Sequence, residues 1–157
     1  MRYLTFLFAL SALSTALADV HLSPLFSDGA VLQRGRQIPI WGKADPGESV
    51  TVRMNGKEAA GTADSSGRWS IQFPAQDAGG PFDLTVQGKN TIVLRDVVVG
   101  EVWVASGQSN MQFPLMTLEP AHPVHGFLAR EVIVAANDLQ LRIFSVKMQV
   151  SPEMLRG

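Results

Sequence analysis

Short apolar and polar alternations fill the chain between about residue 22 and residue 96. They include "ESVTVRM" (48–54) and "RWSIQF" (68–73), and turn residues separate them. Successive side chains of a strand point to opposite faces of a sheet, so this alternation predicts strands with one buried face. Asn55-Gly56 is typical of a two-residue hairpin turn. The spacing predicts a small antiparallel β-sandwich or barrel, of the immunoglobulin or jelly-roll kind.

After Asp96 the pattern changes. "VVVGEVWVA" (97–105) is nearly continuous in apolar residues, as in a strand buried on both faces of a parallel sheet. "LQLRIFSV" (139–146) is strand-like again. Between these two stretches, apolar residues fall on one helical face, namely Leu128, Val132, Ile133 and Ala136. A strand, a helix and a second strand predict a right-handed βαβ unit, the first of an α/β domain.

We therefore expect a signal peptide at 1–18, a β-sandwich domain at 19–96 and the start of an α/β domain at 97–157. Two parallel strands and one helix cannot cover both faces of a sheet, which favours the N-terminal part of a larger protein. The alternative is a small protein whose last residues dock on the sandwich.

The first 18 residues are typical of a secretory signal. Arg2 gives a positive start, an apolar run follows, and Ala16-Leu17-Ala18 is a small-x-small cleavage site. A membrane anchor is the alternative, but the run is shorter than the roughly 20 residues that span a bilayer. We expect an exported protein, periplasmic or extracellular, that has no membrane association after cleavage.

Charge and cysteine content narrow the chemistry. The chain has 13 Lys and Arg against 14 Asp and Glu, a net charge of -1, and the charges are scattered. This is not the basic footprint of a nucleic-acid-binding protein. The absence of cysteine excludes disulfides, thiolate metal sites and a cysteine nucleophile.

"VWVASGQSNMQF" (102–113) leads from the predicted buried strand into a polar stretch. In a parallel α/β sheet, ligand chemistry collects at the carboxyl ends of strands, and Ser109 follows one such end. Gly107 permits a tight exit, whereas Ser106 still belongs to the strand end. Met111 breaks the Gly-x-Ser-x-Gly pattern of a nucleophile elbow. The residues alone leave both a polar turn and a nucleophile open.

"GEVWVASGQSNMQFP" (100–114) resembles the nucleophile block of the sialate O-acetylesterase family, secreted serine esterases of the SGNH-hydrolase type. Other stretches are similar to that family in the same order. These are "LFSDGAVLQR" (25–34), "PIWGKADPGESVTV" (39–52), "SSGRWSIQFPAQDAGGPFDLTV" (65–86), "VVVGEVW" (97–103) and "LQLRIFSV" (139–146). The resemblance covers nearly all of the chain after residue 18.

The resemblance implies acyl transfer through Ser109. A histidine removes the Oγ proton, the acetyl group passes from a sugar hydroxyl to Ser109, and water then releases acetate. Gly107, Gln108 and Asn110 would support the turn and the oxyanion. The implied partners are an O-acetylated sugar or glycan, either sialic acid or a plant polysaccharide, and water. No cofactor and no metal ion is expected.

The chain departs from the family in its histidines. The family's base lies in a downstream Asp-x-x-His block that is not within these residues, and two later oxyanion contributors are also missing. His122 and His125 invite a catalytic or metal interpretation, but their proline-rich surroundings favour an exposed loop, and we expect His21 to have no specific role. "AAND" (135–138) superficially resembles another family block, and we interpret it as a helix end. We therefore predict little or no esterase activity for these 157 residues alone.

The three tryptophans suggest a function of a different class. Trp41 and Trp69 lie in sandwich strands and could form a sugar-stacking platform, although aromatic residues in such strands are more often core. Trp103 is expected to be buried. A non-catalytic carbohydrate-binding module is therefore the alternative function.

Overall fold

The computed structural model describes residues 19–108, 111, 131 and 133–146. The predicted signal peptide, Ser109, Asn110, His122 and His125 lie outside these residues. The strands are β1 (His21–Leu22), β2 (Val31–Gln33), β3 (Ile38–Lys43), β4 (Ser49–Met54), β5 (Lys57–Thr62), β6 (Arg68–Phe73), β7 (Gly79–Gln87) and β8 (Thr91–Gly100).

The strands form two sheets. One has three strands in the order β1-β3-β6, and the other has five in the order β2-β8-β7-β4-β5. All pairs are antiparallel except β2 with β8, which run parallel with Val31 opposite Val98 and Gln33 opposite Gly100. The expected purely antiparallel pairing is thus wrong at this one pair.

Local sequence explains the β4–β5 hairpin. Asn55 and Gly56 have φ values of 49° and 69°, the positive angles that a two-residue turn of this kind needs at both central positions. Met54 consequently lies opposite Lys57. The predicted hairpin at Asn55-Gly56 is confirmed.

Side chains from both sheets share one hydrophobic core. The period-two pattern decides which residues enter it, because alternate residues of β4 and β6 are buried and their neighbours face outwards. The largest fully buried side chains are Phe73, Ile40, Leu84, Val20, Val50, Val52, Val86 and Val97.

The tryptophans separate according to this alternation. Trp69 of β6 is only 2% exposed and belongs to the core, as expected. Trp41 of β3 is 37% exposed, and its ring meets that of Phe26 edge to face with centroids 4.8 Å apart. Because Trp69 is buried, the two indoles do not form a common sugar-stacking platform.

The predicted strand at 97–105 is correct only as far as Gly100. Residues 97–100 complete β8, where Val97 and Val99 enter the same core as the preceding strands. Residues 101–105 form no strand, since no described strand pairs with them, and Trp103 is 86% exposed rather than buried. One strand therefore crosses residue 97, and the proposed division into domains there stays a prediction.

The described residues also form no second strand of a βαβ unit. Residues 131 and 133–135 are helical, and Asn137 follows the helical turn, as expected for a helix end. Residues 139–140 form a turn and 141–146 have no regular structure, although a strand was predicted there. Within the described parts of the chain, no helix is long and apolar enough to cross a bilayer.

Candidate active site

Gly107 and Gln108 are the two predicted site residues that the structure describes. The Gln108 carbonyl accepts a hydrogen bond of 2.9 Å from the Met111 amide, which is the hydrogen bond of a turn. A Cβ atom at Gly107 would lie 2.6 Å from Cγ of Met111. Glycine at 107 therefore allows the Met111 side chain to fold back against the chain. The catalytic roles of these residues and of Ser109 stay predictions.

The segment that leads to this turn leaves the five-stranded sheet beside the end of β2. The parallel ladder ends where Gln33 faces Gly100, and the Arg34 amide donates to the Gly100 carbonyl at 2.9 Å. Beyond Gly100 the side chain of Gln33 replaces the backbone of β2 as the hydrogen-bond partner, because its Oε1 accepts the Val102 amide at 2.9 Å. The sheet thus guides the chain two residues beyond its last strand.

The carboxylate of Glu101 binds the NH₂ end of the same Gln33 side-chain amide. Its Oε2 accepts Gln33 Nε2 at 2.9 Å, and its Oε1 accepts Arg34 Nε at 2.6 Å. We call the side chains of Gln33, Arg34 and Glu101 the Gln33 cluster. Hydrogen bonds from Gln33, and then from Arg34, lower the pKa of Glu101. The carboxylate therefore stays ionised at neutral pH and keeps both donors in place.

A cavity of about 310 Å³ lies beside the Gln33 cluster. Its lining is polar and consists of Gln33, Arg34, Gly35, Asp77, Ala78 and Glu101. These side chains offer carboxylate and amide groups but no aromatic surface. Nowhere in the described ranges do three or more His, Asp or Glu side chains gather as a metal ion requires.

A second contact joins the segment at 139–146 to the sheets. Arg142 Nη2 lies 3.0 Å from Oδ1 of Asp96, and Arg142 Nη1 also donates to the Asp96 carbonyl. Asp96 has a positive φ of 57°, which bends β8 at this position. Asp28 supports the bend, because its Oδ1 accepts the Arg95 amide at 2.7 Å. Arg142, which lies in the second predicted strand of the α/β unit, is thus tied to β8.

His21 is the one histidine among the described residues. It lies in β1, opposite Lys43 of β3, with its side chain exposed. Its position far from the turn at Gly107 along the chain gives no support for a catalytic role.

Comparison with known proteins identifies relatives with a common name. No protein-family model matches the chain. The mouse sialate O-acetylesterase is 34% identical over 127 residues, and the human sialate O-acetylesterase is 31% identical over 118 residues. This chain is a homologue of the sialate O-acetylesterases. The matches cover 74% and 68% of the chain but only 22% and 21% of those proteins, so the chain spans about a fifth of their length.

A solved structure agrees with this assignment. A carbohydrate acetylesterase from Xanthomonas citri is 41% identical to the chain and superimposes with a TM-score of 0.65. The match covers 76% of this chain and 26% of that protein. The resemblance to the sialate O-acetylesterase family is thus confirmed, and the two-sheet fold is similar to that of a carbohydrate acetylesterase.

The Gln33 cluster is the part of this region that the sequence did not reveal. Glu101 and Arg34 form a hydrogen-bonded group with Gln33, although these residues lie far apart in the sequence. Gln33 and Arg34 end one quoted stretch of the resemblance, and Glu101 lies in another. Their presence in two separate matching stretches was the available signal.

Proposed function

We propose that the chain is the N-terminal part of an exported carbohydrate O-acetylesterase, with Ser109 as nucleophile. Its 41% identity to a carbohydrate acetylesterase, together with the matching two-sheet fold, is the observation that carries the proposal. In its finer form, a β-sandwich precedes the first βαβ unit of an SGNH-type domain. O-acetylated sialic acid or a related acetylated sugar is the proposed substrate.

The proposed reaction is a two-step acyl transfer. A histidine takes the Ser109 proton as Oγ attacks the acetyl carbon, and the sugar hydroxyl leaves with that proton. Water then attacks the acyl-enzyme and releases acetate. Backbone amides of the turn at 107–111 are the proposed donors to the tetrahedral oxyanion, in the way that preorganised donors stabilise such charge.

Further chain is proposed to complete the catalytic domain. Described apolar side chains of the segments 101–105 and 139–146 are strongly exposed, including Trp103, Val104, Leu139, Ile143 and Val146. Exposed apolar surface of this extent usually marks an interface. The chain covers only a small share of its relatives' length, which supports the same proposal. We expect that additional strands and helices cover these residues and supply the histidine base.

The direct test compares two proteins. One has these 157 residues, and the other continues through the coding sequence that follows Gly157. We expect hydrolysis of O-acetylated sialic acid only by the longer protein, and we expect Ser109→Ala to reduce turnover by about 10⁶-fold or to background. Ser106→Ala is the matched control and should retain activity. A stop codon after Gly157, or activity that survives Ser109→Ala, would refute the proposal.

Acetylated plant polysaccharide in place of sialic acid separates the two substrate classes in the same assay. The proposed export is tested separately, by N-terminal sequencing of the secreted or periplasmic protein. That sequence should begin at Asp19.

A further inference from the structure

The outer face of the three-stranded sheet has one aromatic ring among small polar side chains. Trp41 of β3 points away from the core and is 37% exposed. Ser70 of β6 lies directly opposite it, and on the other side the Ser23 amide donates to the Trp41 carbonyl at 3.1 Å. Serine side chains are too short to cover an indole, so the ring stays accessible to a ligand.

Phe26 holds this ring in place. The Phe26 amide donates to the Ser23 carbonyl at 2.9 Å, and the turn that results places the Phe26 ring edge to face with the indole of Trp41. Phe26 itself packs against the hydrophobic core. Because the indole is held before any ligand arrives, binding on it costs little further conformational entropy.

Positive side chains lie beside the indole on the same face. Lys43 of β3 is directly opposite Arg68 of β6, and its other neighbour is His21 of β1. All three side chains are exposed. Like charges that face each other across an antiparallel pair are destabilising. The Lys43–Arg68 pair therefore opposes folding instead of supporting it.

Little negative charge compensates this pair. Asp64 lies near Arg68, but its carboxylate already accepts the Ser66 hydroxyl and the Arg68 amide. Among the residues that the structure describes, no side chain forms a hydrogen bond or an ion pair with Lys43. A local arrangement that costs stability without a compensating contact is typical of a functional surface.

The spacing of these groups fits a sugar ring that has a carboxylate. Lys43 lies two residues after Trp41 on the same face of β3, about 7 Å further along the strand. Gln72 is the diagonal neighbour of Trp41 on β6 and offers an exposed amide. An aromatic ring packs against the apolar face of a sugar, an amide bonds to its hydroxyls, and a lysine binds its carboxylate.

We infer that the outer face of the three-stranded sheet binds a carboxylated sugar, with Trp41 against the ring and Lys43 and Arg68 at the carboxylate. Sialic acids and uronic acids share this chemistry. Such a site would anchor a glycan and take no part in ester hydrolysis, so it does not depend on the proposed function.

The test is a titration of the 157-residue chain, followed through the tryptophan indole N–H signals by NMR. The probes are two pairs that differ in charge, methyl glucuronide with methyl glucoside and sialyllactose with lactose. We expect at least one carboxylated probe to shift the Trp41 signal with a Kd on the order of 1 mM, and its neutral counterpart to bind more weakly. The buried Trp69 is the internal reference. If neither carboxylated probe shifts Trp41, the site does not exist.

Variants assign the binding to its residues. Trp41→Ala should weaken binding about tenfold, as expected for the loss of an aromatic contact. Trp103→Ala is the matched control, because Trp103 is an exposed tryptophan outside the sheet, and it should have no effect. Equal losses in the two variants would show unspecific adsorption and refute the site.

The lysine separates a binding role from a structural one. Lys43→Gln should weaken binding of the carboxylated probe about three- to tenfold and leave its neutral counterpart unchanged. It should also raise the midpoint of urea unfolding, because it removes the repulsion with Arg68. Lys57→Gln is the matched control, since Lys57 is an exposed lysine of β5 that donates to the Ala75 carbonyl at 2.7 Å. A lower midpoint with unchanged binding in Lys43→Gln would mean that Lys43 serves the fold.

The longer protein tests the other possible occupant of this face. If further chain covers Trp41, the carboxylated probe should bind the 157-residue chain but not the longer protein, and the face would then be an internal interface. Equal affinity in both proteins supports the sugar site.

Discussion

The buried carboxylate of Glu48 bonds to the backbone at two turns of the sheets, one at Asp45 and one at Lys89. It is 9% exposed, its Oε1 accepts the Lys89 amide at 2.6 Å, and its Oε2 accepts the Asp45 amide at 3.0 Å. The Glu48 carbonyl also accepts the Ala63 amide. Glu48→Ala would remove both side-chain bonds and leave two backbone N–H groups without their acceptor. Hydrogen bonds to charged groups contribute about 1.5 to 3 kcal/mol each, so we expect a loss of about 3 kcal/mol or more.

Urea unfolding followed by far-UV circular dichroism measures this loss as a shift in midpoint at constant slope. Glu58→Ala is the matched control, because Glu58 is an exposed glutamate that pairs with Arg53. Exposed ion pairs contribute little, so this control should change the free energy of unfolding by less than about 1 kcal/mol. If the two variants unfold at the same midpoint, the bonds of Glu48 do not stabilise the fold and the reasoning is wrong.

Three further changes have expected outcomes. Gly88→Ala should destabilise the fold in urea, because its Cβ would lie 2.3 Å from Glu48 Oε1 and 3.1 Å from Val20 Cβ. Its effect should be smaller, though still present, once Glu48→Ala has removed that oxygen. Hydrogen bonds from Ser66 and the Arg68 amide lower the pKa of Asp64 from its ordinary 3.8. Its stabilising effect should therefore be complete above pH 3.8 and disappear as the pH falls below it. NMR titration gives the midpoint, and Asp64→Asn should abolish this part of the pH dependence. Arg142→Ala removes the bonds to Asp96. It should therefore speed amide exchange at 139–146, and it should leave the unfolding midpoint of the sheets unchanged.

The strands could be predicted from the sequence because their signals are local. Alternation gave the buried positions of β4 and β6, and Asn55-Gly56 gave the hairpin between β4 and β5. The parallel pairing of β2 with β8 has no such signal, since Val31 and Val98 meet only when the whole sheet has formed. Period-two patterns determine which face is buried but not which strand lies alongside.

The run at 97–105 shows the limit of a continuous apolar pattern. Residues 97–100 belong to a strand whose alternate residues Val97 and Val99 lie in the core. Residues 101–105 are exposed to solvent. Hydropathy alone does not distinguish these two environments. The candidate nucleophile was recognised by resemblance, whereas the Gln33 cluster depends on side-chain contacts between distant stretches, which single-sequence patterns do not encode.

The strands beside β8 determine how well the backbone amides are protected where the segment towards Ser109 begins. β8 has β7 on one side and β2 on the other, so its amides near Val99 are protected by a complete sheet. Val102 is held by one side chain, and Trp103 is almost fully exposed. Amide exchange should therefore be slow at Val99, intermediate at Val102 and fast from Trp103 onwards. If the amides of Val102 and Trp103 exchanged equally fast, the bond between Val102 and Gln33 would not be the last contact that protects this part of the backbone.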